Sequence, residues 1–418
     1  MYVPSAREDW QCCFYEFQAS ITYNGKTVQL KEGQIISVLL EKDYDSLHMP
    51  ILLMDLSLDY PIHDEIKKDP KSTMQLRVDK CIGIQEDGKI NVTSKTIFIN
   101  SVFSFVTLNH TPKSTYYEKS VNDVNQKQEG DYLSASTGEV ERHILVKKED
   151  LTKSKKIINA SLPNVTLTEA ICPFMWESGC RDVLMANLDN VKVYDELFIP
   201  AMPLLECLIY LKDRYGMHKE DTTIFMDYDT MYVVRKSALC TVYKNRETKN
   251  VCICLNSPES VQSTCAGVMY TGNMTYVNVG YEQFGRMVGG TVSDQTVGTD
   301  YILFNENDLS TNTVKIQNDR ALDGGNTTVK TVKGFNEFID NQIKMRKAEE
   351  QNTFEMICTG IDLSILTPNK HYMIASNSTE IVLDAGGSYR LSRHVTEFTR
   401  TGGLMLPITT LVLKKTTE

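Results

Sequence analysis

Between Phe17 and Tyr23 apolar and polar side chains alternate without a break: Phe17, Ala19, Ile21 and Tyr23 take one side, and Gln18, Ser20 and Thr22 the other. Successive side chains of a strand point to opposite faces, so a period of two describes a strand with one buried face. Asn24-Gly25 follows at once. A two-residue type I′ turn needs positive φ at both central positions, which these residues tolerate, so the chain must double back here as a hairpin. No helix can satisfy this pattern.

Further strands are predicted at Gln34–Glu41, Pro50–Leu58, Thr73–Ile84 and Lys95–Leu108. Met74, Leu76, Val78, Ile82 and Ile84 keep the alternation in the third of these, interrupted by Lys80, and Glu86-Asp87-Gly88-Lys89 supplies the turn before the next. Strands joined by short connections predict a closed antiparallel barrel, the arrangement that leaves no exposed edge. Residues 111–160 are polar and lysine-rich apart from Ile144-Leu145-Val146, and read as an extension or inserted arm.

Helical signals are confined to the interior of the chain. Thr166-Leu-Thr-Glu169 has the form of a capping box and opens a short helix that Pro173 is expected to kink. Ala201–Tyr215 carries Pro203 near its start, Leu204, Leu205, Leu208, Ile209 and Leu211 on a broad apolar face, and Gly216 as its stop. Thr223–Phe225 and Met231–Arg235 read as strands joined at Asp227-Tyr228-Asp229, with another at Val251–Leu255. A third helix is expected at Phe335–Glu349. Strands return at Phe354–Cys358, Tyr372–Ala375, Ile381–Leu383, Tyr389–Phe398 and Leu404–Leu413, with Gly386-Gly387 and Gly402-Gly403 as turns.

At 418 residues the chain exceeds one ordinary hydrophobic core. The predicted class is mainly β (α+β): two antiparallel β-barrel-like domains bracketing a mixed α/β middle region with few helices. The expected divisions are a first barrel at 1–112, a polar extension or insert at 113–163, a mixed α/β domain at 164–240, and a second barrel at 241–418 with inserted segments, including the helix near 335–349.

A hydrophobic content of 41% and a charged content of 23% are those of a folded protein. No stretch approaches the roughly 20 apolar residues that span a bilayer. Met1 to Trp10 contains neither a basic cluster nor an apolar run, so synthesis in a cytoplasm is expected. The net charge of −10, from 44 basic and 54 acidic side chains, argues against sequence-independent nucleic-acid binding. The 11 cysteines are odd in number and lack C-x-x-C spacing, which fits free thiols in a reducing compartment.

Ile224-Phe225-Met226-Asp227-Tyr228-Asp229-Thr230 is the segment that comes nearest to a catalytic motif. An apolar strand ending in Asp-x-Asp is how a haloacid-dehalogenase-type phosphotransferase sets a nucleophile and a general acid beside magnesium. That motif wants Thr or Val where Met231 stands, and a second strand follows instead of a helix, so a tight turn outweighs it. Cys252 and Cys254 have no Cys or His pair at zinc-site spacing nearby and read as two buried thiols facing one core, as do Cys172 and Cys180. The histidines (His48, His63, His110, His143, His218, His371, His394) are scattered, and neither H-x-x-x-H nor Gly-x-Ser-x-Gly occurs. Tyr23, Tyr44, Tyr116-Tyr117 and Tyr301 could stack on sugars or cover half-buried sheet faces. No catalytic, metal-binding or cofactor-binding residue is assigned, and no cofactor is expected.

Three stretches together resemble the hub subunits of contractile phage tails, the class found in T-even phages and in large myophages of Gram-positive hosts. The first is Val38-Leu-Leu-Glu-Lys-Asp-Tyr-Asp45 with Pro50–Leu58 and Met74–Val78. The second runs from Asp189-Asn190 through Phe198-Ile199-Pro200 and Leu204–Tyr215 to Phe225–Tyr232, and the third is Gly387–Ser392 with Leu404–Leu413. The resemblance implies a non-enzymatic homotrimer that joins a six-fold tail tube to a three-fold central spike or cell-puncturing protein. It implies contacts with the tube protein and other baseplate proteins, DNA passing only in transit through the lumen, and no stable membrane insertion. Its place would be the virion's tail baseplate, assembled in the host bacterial cytoplasm. Two other readings stay open: a magnesium-dependent phosphotransferase or hydrolase using Asp227 and Asp229, and a glycan-binding tail protein.

Overall fold

The computed structural model describes residues 10–31, 33–86, 89–106, 139–219, 222–235, 250–256, 267–272, 274–280, 284–287, 300–305, 313–316, 327–332, 353–376, 388–401 and 403–416. The expected helix at 335–349, the strand at 381–383 and the Gly386-Gly387 turn lie outside them.

Strand β1 (Cys12–Tyr23) turns through Asn24 (φ 46°) and Gly25 (φ 75°) into β2 (Lys26–Gln29), with Tyr23 opposite Lys26. This is the hairpin the alternation and Asn-Gly demanded. Strands β3 (Ile35–Asp43) and β4 (Ile51–Leu58) follow, then helix α1 (Tyr60–Lys68) and the long pair β5 (Thr73–Glu86) and β6 (Lys89–Val106). Periodicity gave no sign of α1; its signal is Pro61 in the first turn, where the missing N–H costs nothing. Strand β7 (Glu139–Lys147) pairs with both β4 and β6. Residues 139–147, within the span expected as an arm at 113–163, are barrel wall, with Leu145 and Val146 buried.

Helix α2 (Lys148–Ser154) and strand β8 (Ile157–Val165) lead into α3 (Leu167–Glu177). Its capping box is reciprocal: Glu169 N–H donates to Thr166 Oγ1, and Thr166 N–H donates to the Glu169 carboxylate. The helix runs on through Pro173 to Glu177. Strand β9 (Asp182–Met185) precedes β10 (Tyr194–Pro203), which pairs antiparallel with β8. Helix α4 (Leu204–Tyr215) starts later than expected because residues 201–203 finish β10, and it stops at Gly216 (φ 70°). Strands β11 (Thr222–Asp227) and β12 (Thr230–Arg235) form a hairpin, with β9 parallel to β12.

This hairpin has two apolar faces. Ile224, Met226, Met231 and Val233 pack with Leu167, Ile171, Leu204, Leu208 and Leu211 of the helical lobe. Phe225, Tyr232 and Val234 join the barrel core instead. One hairpin thus belongs to both cores and holds the lobe on the barrel.

The last part of the chain contributes β13 (Asn250–Asn256), β14 (Val268–Thr271), β15 (Met274–Gly280) and β16 (Phe284–Met287). Strands β17 (Asp300–Asn305), β18 (Thr313–Ile316) and β19 (Thr327–Val332) make a separate three-stranded sheet. Then come β20 (Thr353–Thr359), β21 (Tyr372–Ser376), β22 (Tyr389–Thr401) and β23 (Leu404–Lys415). Strand β13 lies parallel between β15 and β21, while β20 pairs antiparallel with β23 and β16.

The long hairpin β22–β23 decides the architecture. Near its tip, Arg393–Phe398 of β22 pairs with β3 and Met405 of β23 pairs with Tyr15 of β1. These contacts close an eight-stranded antiparallel barrel in the order β22-β3-β4-β7-β6-β5-β1-β23. At its open base, Tyr389 pairs with β21 and Ile408–Lys414 pairs with β20, so the same hairpin carries the second β module. First and last strands thus share one barrel, across the expected boundaries at 112 and 241. Strand alternation specifies which face is buried but not which strand is the neighbour. Nine cysteines are free among the described residues, and all of them except Cys172 are buried. No helix among the described residues is long and apolar enough to cross a membrane.

Candidate functional site

Asp227-Tyr228-Asp229 is the tight turn of β11–β12, with Tyr228 at φ 42° and Asp229 at φ 77°. Positive φ at two successive residues gives the primed turn that matches strand twist. Its carboxylates are both committed to lysines. Lys42 Nζ donates to Asp227 Oδ1 at 2.7 Å, Tyr44 Oη donates to Oδ2 at 3.1 Å, and the Lys42 ammonium lies 4.0 Å from the Tyr228 ring centroid. Burial pulls Lys42 below its ordinary pKa, against the opposing attraction of Asp227. Asp229 pairs with Lys147; burial pushes its carboxyl up, but the lysine outweighs this and holds it below the usual value. A magnesium site here would have to displace both lysines. The arrangement serves as a plug, seating the hairpin turn against β3 and β7.

A second ionic knot binds the base of the shared hairpin. Asp45 accepts from Arg390 Nη1 at 2.9 Å, from Ser392 Oγ at 2.5 Å and from Lys414 Nζ at 2.7 Å. Arg390 and Lys414 stand directly opposite each other on β22 and β23. Like charges so placed repel, and Asp45 between them turns the repulsion into cohesion.

A third polar cluster unites residues with no suggestive spacing. His63 of α1 and Glu141 and His143 of β7 bring one ligand atom each to within 4.8 Å of one another, a set able to hold a metal ion. His63 Nδ1 lies 2.8 Å from His143 Nε2, and the two rings meet edge to edge in planes 15° apart, with centroids 5.1 Å apart. Burial, with His63 beside it, pushes His143 down to about 4. Lys67 pairs with Glu141. The only local sequence signal is Glu141-x-His143, which puts both side chains on one face of a strand; α1, which supplies His63, was not foreseen.

The other candidates are placed as follows. Cys252 and Cys254 are buried with Trp10 and Tyr276 in a small core, in accord with the two-thiol reading. Cys180 is buried, whereas Cys172 is exposed, which corrects the expectation of a matched buried pair. Tyr23 and Tyr44 are buried and offer no face to a glycan; Tyr116-Tyr117 lies outside the described residues, and the side chain of Tyr301 is not described. A cavity of about 240 Å³ opens beside the tip of the shared hairpin, lined by Tyr15, Phe17, Gln29, Lys31, Arg400 and Met405 among others.

Sequence comparison identifies the chain's relatives. The family described as bacteriophage PBS1 gene 109 protein matches residues 12–416. The chain belongs to that family. No curated protein matches it. Among solved structures, this member of the family is similar to a tail protein from Neisseria meningitidis MC58, with TM-score 0.48 and 9% identity over 96% of this chain and 97% of that one. A Francisella PdpA–VgrG complex chain gives TM-score 0.47 and 9% identity, over 98% of this chain and 53% of that one. The 43 kDa tail protein of prophage MuSo2 from Shewanella oneidensis gives TM-score 0.43 and 10% identity over 94% and 96%.

Proposed function

We propose that this chain is a non-enzymatic structural subunit of a phage tail: a baseplate hub that assembles as a homotrimer, joins a six-fold tail tube to a three-fold central spike, and surrounds a lumen through which DNA passes. It works in the virion, after assembly in the cytoplasm of the host bacterium. Membership in a bacteriophage protein family supports the virion role. The hairpin β22–β23, common to a closed barrel and a second β module, carries the symmetry reading. Two joined β bodies in one chain let three chains offer six, which is what a symmetry adaptor needs. The net charge of −10 suits a wall past which DNA slides without sticking. Asp227 and Asp229, each held by a lysine, act in this reading as fasteners.

Negative-stain imaging with light scattering of the purified full chain, alone and with its tube and spike partners, tests the proposal. A threefold ring with six lobes is expected. A protein that stays monomeric with both partners present, or a ring of another symmetry, overturns it.

A further inference from the structure

We propose that His63, Glu141 and His143 form a zinc site that locks α1 across the end of the barrel. The three residues come from two elements that the fold brings together independently. Strand alternation sets Glu141, His143 and Leu145 on one face of β7, and Leu145 belongs to the barrel core. Helix α1 sends Ile66 into the same core and buries His63 completely.

The hydrogen bonds orient the ligand atoms. His63 Nε2 lies 3.0 Å from the Glu139 carbonyl oxygen, which can only accept, so the ring carries its proton there. Its Nδ1 then presents a lone pair to the cluster, and a backbone carbonyl on the far nitrogen is the usual outer partner of a metal-bound imidazole. The neutral His143 donates Nε2–H across the 2.8 Å to His63 Nδ1. Zinc binding moves that proton to the other ring nitrogen or to solvent and puts the ion between the two rings. Tetrahedral bonds of about 2.0 Å place two nitrogens roughly 3.3 Å apart, so the rings need to separate by about half an ångström and to tilt until both lone pairs aim at the ion.

Charge and surroundings agree. Glu141 supplies the third ligand and already attracts a cation, since Lys67 pairs with it. That lysine side chain is 57% exposed and free to swing into solvent when a divalent ion arrives. Phe105 meets His143 edge-on at 5.4 Å, and the histidines are otherwise enclosed, so the site is dry on the barrel side and open toward Glu141. Two imidazoles and a carboxylate select zinc over the hard cations magnesium and calcium, and leave the fourth position to water. The ion's role is mechanical: it ties a short helix to a strand some 80 residues further along the chain.

The test uses full-length protein freed of metal by a chelator, titrated with Co²⁺ and separately with Zn²⁺. One equivalent of Co²⁺ should give four-coordinate visible bands without thiolate charge transfer, and Zn²⁺ should raise Tm. His143→Gln and Glu141→Gln should each weaken binding by more than ~10-fold and abolish the Tm shift. Glu141→Gln, at a partly exposed position, guards against a folding defect in the histidine variant. Lys67→Met removes the competing ammonium and should tighten binding several-fold, an effect a merely hydrogen-bonded cluster would not show. Absence of stoichiometric binding, cysteine charge-transfer bands, or affinity unchanged in these variants overturns the site.

Discussion

Lys42 donates to Asp227 at 2.7 Å, with both side chains only 6% exposed, and this one contact fastens a barrel strand to the hairpin turn that carries the helical lobe. Removing one partner of a buried pair strands the other charge in a low dielectric, whereas replacing both with apolar groups does not. Lys42→Met and Asp227→Leu are each expected to cost about 3 kcal/mol, and the double variant, which still strands the Tyr44 hydroxyl, only about 1–2 kcal/mol. Urea unfolding of the two singles and the double measures this. Additive losses would show that the pair is not coupled.

Among the described residues Arg390 is the largest fully buried side chain, and its two terminal nitrogens both reach Asp45, at 2.9 and 3.3 Å. Lysine offers a point charge where the guanidinium offers a fork. Arg390→Lys is therefore expected to lose about 2 kcal/mol, and Asp45→Ala about 3–5, because the latter leaves Arg390 and Lys414 facing each other. Thermal unfolding checks the order; an Asp45 variant as stable as the parent contradicts it.

A Cβ on Gly267 would stand 2.3 Å from the Gly360 carbonyl oxygen. Around this point Gly267 N–H donates to Gln11 O and Cys13 N–H donates to Gly360 O, so three remote segments meet through bare backbone. Gly267→Ala must push these segments apart, and a loss above about 2 kcal/mol is expected, in the range of overpacked cores. Gly25→Ala meets nothing within 4 Å and suffers only from its φ of +75°, about 1 kcal/mol. Calorimetry of the pair should show a clearly larger drop in Tm for Gly267→Ala.

His218 is fully buried, 3.7 Å from Asp189, and burial pushes it down to about 4. Between its ordinary value of 6.5 and about 4, the unfolded chain takes up a proton that the folded chain refuses. Stability from this group is whole above pH 6.5 and is lost as the pH falls toward 4, about 3 kcal/mol in all. His218→Leu should flatten the stability curve in that window relative to the parent. Equal slopes in the two proteins would refute the assignment.

Local chemistry was legible along much of the chain. Asn24-Gly25 forms its hairpin, Thr166 and Glu169 their reciprocal cap, Gly216 its helix stop, and Asp227-Tyr228-Asp229 its turn, each depending on residues a few positions apart. Helix α1 escaped notice because nine residues give little periodicity to read. The ends of barrel strand β7 also escaped, since Lys147 is a polar residue recruited by distant Asp229, and Glu139 is exposed and meets His63 only through its backbone carbonyl. The His63–His143 contact spans elements whose pairing no spacing encodes.

The sequence by itself determined the β-rich class, the hairpins, the caps and the buried face of most strands, because those follow from φ preferences and a period of two. Tertiary structure alone decided that β1 and β23 close the same barrel, that β11–β12 serves two cores, and that Asp45 neutralises two opposed cations. Such facts depend on which surfaces meet after collapse, and an alternating strand is equally content beside any partner that buries the same face.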